Sequence, residues 1–87
     1  MYTVYILYSA SSKRTYVGYT NNLQRRLVEH NHTEQSGFTL RYRPWTLLHT
    51  EEFATKQEAM LKEKFLKTGT GRKLIKEVIF KYTISSK

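Results

Sequence analysis

Eighty-seven residues make one domain with a thin core, because a chain this short buries only about 60–65% of the surface its unfolded form exposes. The absence of cysteine excludes disulfides and thiolate metal sites, so any site must use oxygen and nitrogen groups; it also fits a reducing cytoplasm. A net charge of +8, from 15 Lys and Arg against 7 Asp and Glu, favours a polyanionic partner, nucleic acid first, and no run approaches the ~20 apolar residues of a membrane span.

"YTVYILY", Tyr2 to Tyr8, is rich in β-branched and aromatic residues and reads as a strand. It lacks the basic leader of a signal peptide. "SASSKR" is a polar loop and "TYVGY", Thr15 to Tyr19, a second strand, so the two form a hairpin turning near Ser11 and Ser12. That register sets Tyr5 opposite Gly18, with Tyr16 as its diagonal neighbour. Gly18 weakens its strand and marks a place where something approaches the backbone closely. Two phenols then flank a residue without a side chain, which predicts a gap that a ligand could enter.

"TNNLQRRLVEHN" reads as a helix capped among Thr20, Asn21 and Asn22. "HTEQSGFTLRYRP" is a loop closed by Pro44, the only proline, and "WTLLHTEEF" a third strand. "ATKQEAMLKEKFLKTGTG" opens on a capping box, Thr55 with Glu58 three residues later, and stops near Gly69 and Gly71. "RKLIKEVIFKY" is a last amphipathic helix ending around Phe80. The expected organisation is one domain over 1–80 and a flexible tail over 81–87. The order β-β-α-β-α-α implies an α+β fold, a small three-stranded antiparallel sheet covered by helices.

Helical spacing sorts the polar residues. Asn22, Arg26 and His30 form one stripe beside the Leu23/Leu27 face, while Arg25 points away from it. Glu58 is used by the capping box. Glu63 instead flanks the apolar face of Ala59 and Leu66, where a carboxylate either pairs with a nearby cation or meets a ligand. Two phenols, an Arg, a His and a Glu are the groups that phosphodiester hydrolysis uses. A base activates water, cations hold the phosphate, and a divalent ion stabilises charge on oxygen. A phenol is a poor base near neutrality, and neighbouring positive charge is what would favour its phenolate.

These residues resemble the GIY-YIG domain family, of the small single-domain bacterial kind. The signature triplets stand as "VYI", Val4 to Ile6, and "YVG", Tyr16 to Gly18, with their tyrosines eleven positions apart. Arg26 lies ten positions after the second tyrosine and His30 four further on. Ala59 and Glu63 match the helical "A-x-x-x-E" pattern. Val4 replaces the first triplet's glycine, Tyr19 stands where some repair members carry lysine, and the asparagine of some larger members has no counterpart.

The resemblance implies a metal-dependent endonuclease cutting one strand with a single Mg²⁺ or Mn²⁺. Its substrate would be nucleic acid, DNA ahead of RNA, in repair or recombination. Tyr5 would be the general base or orient the attacking water, Tyr16 would support the phosphate or a metal-bound water, and Arg26 would neutralise the scissile phosphate. His30 would assist proton handling and Glu63 would bind the metal. Lys13, Arg14, Arg25, Arg41, Arg43, Arg72 and Lys73 are the expected backbone contacts, and a protein partner could supply substrate choice. Two other readings stand beside this one. The first is a binding module without catalysis, whose exposed Tyr42 and Trp45 would stack on bases, although Trp45 could instead plug the core. The second is a protein-interaction module meeting an acidic partner.

Overall fold

The computed structural model describes residues 1–33 and 37–85. Three strands, β1 (Tyr2–Ser9), β2 (Arg14–Thr20) and β3 (Thr46–Phe53), form an antiparallel sheet of order β2-β1-β3. The central strand is the most apolar: Val4, Tyr5, Ile6 and Leu7 are all buried. Both neighbours pair with it, and β3 shifts register between Ile6 and Leu7. Tyr5 pairs with Gly18 and Leu7 with Tyr16, the register the hairpin predicted.

Period-2 alternation divides the core into two layers. Val4, Ile6 and Val17 face one side, against Ala59, Leu66 and Ile75. These come from α3 (Lys56–Leu66) and α4 (Gly69–Ser85). Tyr5 and Leu7 face the other side with Trp45, under Tyr16, Leu23, Leu27 and Tyr42. That layer is covered by α1 (Leu23–Val28), the π-helical turn Glu29–Thr33 that continues it, and the short α2 (Phe38–Arg41).

Local chemistry fixes the helix starts. Asn22 Oδ1 accepts from Arg25 N at 3.1 Å, capping α1. Thr55 and Glu58 form the expected reciprocal box at α3. Three expectations change. Gly69 and Gly71 open α4 rather than merely ending α3. Gly71 is buried, and a Cβ there would run into the backbone of Phe65 and Leu66, so glycine is what lets α4 cross so close to the end of α3. Nor does the last helix end near Phe80. It continues through Lys81–Ser85, where the Tyr82 ring meets Tyr8 edge-on at 6.3 Å, so the expected tail is helical as far as it is described. Residues 86 and 87 lie outside the described residues. Part of the predicted loop is the helix α2, whose residues stand between Gly37 and Tyr42. Among the described residues no helix is long and apolar enough to cross a membrane.

Candidate active site

The π-helical turn is what delivers His30 to the sheet. Arg43 donates from Nε to the His30 carbonyl at 2.6 Å and from Nη2 to the Glu29 carbonyl at 3.0 Å. Asn31 brackets the backbone of Trp45, accepting from its N–H at 2.7 Å and donating to its carbonyl at 3.2 Å. The Trp45 indole is buried and donates Nε1–H to the Thr39 carbonyl at 2.8 Å. The 43–45 segment thus clamps the turn from outside. Trp45 therefore belongs to the core, not to an exposed stacking surface as one reading required. Tyr42 is half-buried, with the Arg14 guanidinium 4.8 Å over its ring.

Under this clamp three aromatic side chains meet. The Tyr5 hydroxyl and His30 Nε2 are 2.8 Å apart and share a hydrogen bond, both side chains fully buried. The Tyr16 ring lies 4.8 Å from His30 and 6.2 Å from Tyr5, centroid to centroid, and is half-buried. The gap expected at Gly18 is filled by the protein itself. A Cβ there would stand 2.6 Å from the Tyr5 hydroxyl oxygen, 2.8 Å from its Cζ and 3.0 Å from Tyr16 Cε2. The missing side chain makes room for the end of Tyr5, which leaves the half-buried Tyr16 as the more exposed residue of the two.

Arg26 is half-buried at the edge of α1 and its Nη1 is 2.9 Å from Glu29 Oε1. Arg25 is exposed, as the helix phase predicted. Glu63 lies on the other helical layer. Its side chain is 20% exposed and pairs with Lys67 Nζ at 3.3 Å. Lys67 and Tyr16 line one cleft of about 210 Å³ at the β2 edge, with Thr15, Val17, Leu66, Arg72 and Ile75. The structure thus brings Tyr5, Tyr16 and His30 into contact, sets Arg26 one turn from His30, and relates Glu63 to Tyr16 through Lys67. Of the expected backbone contacts, Lys13, Arg14, Arg41, Arg72 and Lys73 are exposed. Arg43 is instead committed to two backbone carbonyls.

A divalent ion finds a narrow set of ligands. Among the described residues no three His, Asp or Glu side chains cluster. One half-buried carboxylate fits Mg²⁺ or Mn²⁺, which retain waters and take substrate phosphate oxygens; it does not fit a closed all-protein cage. Sequence reasoning missed Asn31, Lys67 and Lys76. Lys67, four residues after Glu63, was visible as an i,i+4 partner. The reach of Asn31 to a segment fourteen residues away was not.

The family model described as the GIY-YIG catalytic domain matches residues 1–76. A UPF0213 protein of Bacillus pumilus is 48% identical over 58 residues, 67% of this chain and 59% of that protein. The chain thus spans about three fifths of the length of that Bacillus relative. A UPF0213 protein of Staphylococcus haemolyticus is 33% identical over 75 residues, 86% of this chain and 90% of that one. The solution structure of a UPF0213 protein from Bacillus halodurans superposes with a TM-score of 0.53 at 28% identity, covering 90% of this chain and 85% of that one.

Proposed function

Because the chain belongs to the GIY-YIG family, whose domains are of nuclease type, we propose that it is a metal-dependent endonuclease hydrolysing phosphodiester bonds of nucleic acid, DNA ahead of RNA. The family resemblance is also what suggests repair or recombination as its setting. The observation that carries the reading is the contact of the two signature tyrosines with His30, beside Arg26.

In hydrolysis a water oxygen bonds to phosphorus, the ester P–O bond breaks, and the departing alkoxide takes up a proton. Tyr16, the more exposed of the two signature tyrosines, is assigned the contact with the attacking water or the phosphate. Tyr5 and His30 stand behind it as a hydrogen-bonded pair between whose oxygen and Nε2 a proton can be exchanged. Arg26 is assigned to the scissile phosphate. Its pairing with Glu29 is no obstacle, since a partly exposed i,i+3 ion pair is worth only about 0.2–1 kcal/mol, and a phosphate offers two charge-assisted bonds in its place. Glu63 would hold the divalent ion, with Lys67 giving way. The ion, when bound, would stabilise charge building on the phosphate oxygens.

The test is cleavage of labelled DNA and RNA with Mg²⁺ or Mn²⁺ by the native chain and by Glu63→Ala. Cleavage that the substitution removes supports the proposal. Binding without cleavage points to a module that has lost catalysis, and neither points to a protein-interaction module. The catalytically silent reading loses one of its two stacking residues, because Trp45 is only 5% exposed and cannot stack on a base.

A further inference from the structure

The cations of this chain are sorted by the sheet edge they stand beside. β2 is an edge strand, and among the described residues only β1 pairs with it. The cleft that begins at Tyr16 and Lys67 includes Thr15, Arg72 and Ile75. A second cleft, of about 320 Å³, shares those same three residues and continues to Lys13, Lys76 and Ile79. The two make one trough along the β2 edge, floored by Ile75 and Ile79 and walled by Lys13, Lys67, Arg72 and Lys76. Among the described residues no carboxylate lines either part. On the other side of α4 the charges are mixed: a cleft there is lined by Glu51 and Glu77 as well as Lys62 and Lys81. Helical phase causes the sorting. Arg72 and Lys76 are one turn apart, about 6 Å along the axis, and share a ridge, whereas Glu77 and Lys81 fall on the opposite ridge.

We propose that this trough is where the sugar–phosphate backbone flanking the scissile phosphate runs, with Arg72 and Lys76 as its principal phosphate contacts. The inference rests on the nuclease reading and gives it a direction: away from Tyr16, along β2, toward Lys13. Charge complementarity selects the occupant. Four cations around an apolar floor, with no acid lining it among the described residues, suit a phosphodiester chain whose sugars lie on Ile75 and Ile79. An acidic helix or peptide would also meet the cations, and it is the outcome the experiment separates. Lys67 sits where the trough meets the candidate metal carboxylate, so backbone entering the trough would arrive beside Glu63. Lys73, expected from the sequence to contact backbone, lines neither cleft.

The experiment measures binding of a labelled oligonucleotide by fluorescence anisotropy in EDTA, so that no cleavage is needed, across a salt series. The proteins are the native chain, Arg72→Gln/Lys76→Gln, and Lys64→Gln/Lys81→Gln as a control with the same loss of charge away from the trough. Each phosphate contact adds a slope of about −0.7 to −0.9 in log affinity against log salt, for single strands and duplex respectively. The trough variant should therefore lose about 1.4–1.8 from the magnitude of the native slope, while the control keeps it. Arg72→Lys/Lys76→Arg, which preserves charge, should restore the slope and guards against misfolding of the first variant. Equal slopes in the trough and control variants would overturn the trough while leaving the nuclease reading intact. Failure of the native chain to bind DNA or RNA at all would remove both, and would favour an acidic protein partner.

Discussion

Gly18→Ala is the smallest change aimed at the centre of the candidate site. It adds one methyl group. Its carbon would lie 2.6 Å from the Tyr5 hydroxyl oxygen and 2.8 Å from Tyr5 Cζ, closer than real Cβ atoms come, and 3.0 Å from Tyr16 Cε2, a tight contact that a small shift would relieve. Tyr5 cannot easily yield. Its side chain is 1% exposed, and its hydroxyl is bonded to His30. Overpacking of this kind costs about 1–3 kcal/mol. Losing the Tyr5–His30 bond would add about 0.5–1.5 kcal/mol. Alanine recovers about 0.5–1 kcal/mol because it restricts the unfolded chain more than glycine does. The net loss is about 0.5–4 kcal/mol, which lowers Tm by roughly 4–8 °C per kcal/mol in a domain of this size. Single-turnover cleavage should fall as well, because the displaced group is the phenol paired with His30. The control is Gly69→Ala, where a Cβ meets nothing within 4 Å and stability should hold or rise. Tyr5→Phe removes the oxygen at the shortest contact. The double variant should thus be less destabilised than the sum of the singles, by at least about 0.5 kcal/mol. Thermal denaturation by circular dichroism reads all four proteins. A Gly18→Ala protein as stable and as active as the native chain would refute the packing argument.

Other substitutions probe the parts around this centre. Gly71→Ala should be the most destabilising of the glycine changes, because it meets the backbone of Phe65 and Leu66 and not a side-chain tip; urea denaturation should show a lower midpoint than for Gly18→Ala. Trp45→Ala should cost about 3–5 kcal/mol and sharply lower the thermal midpoint read by far-ultraviolet dichroism, a loss that replacing an exposed stacking residue would not produce. Asn31→Ala removes both bonds to the Trp45 backbone and should loosen the turn carrying His30. Its signature is faster amide exchange over residues 29–33 with α3 unchanged.

The sequence carried the sheet and the phase of the helices. Polar turn residues between two runs of β-formers fix the hairpin length, and period 2 then decides that Tyr5 faces Gly18. The capping box at Thr55 and the Ala59/Leu66 face are equally local, so Glu63 could be set at the margin of the packed layer. What escaped was determined at longer range. A 3.6-residue pattern runs smoothly through Glu29 and His30, and nothing in composition announces a π-helical turn there. It is held by Arg43 and Asn31, thirteen and fourteen residues from their partners. The same holds for Gly71, a stop signal by spacing whose actual role is set by the crossing of two helices. Lys76 was hidden for another reason. On an amphipathic helix every exposed lysine looks alike until the neighbouring strand edge shows which ridge it shares.

The central claim is that Arg26, Tyr16 and the Tyr5–His30 pair act on one phosphate. Arg25 and Arg26 are adjacent, carry the same charge and differ only in direction, so they give the most direct test. Removing a preorganised electrostatic stabiliser costs about 2.7–4 kcal/mol, or about 10²–10³ in rate. In single-turnover cleavage with Mg²⁺ at saturating substrate, Arg26→Ala should lose that factor while remaining folded by circular dichroism. Arg25→Ala, changed at an exposed position, should cleave at close to the native rate. Equal losses in the two variants, or full activity in Arg26→Ala, would contradict the account.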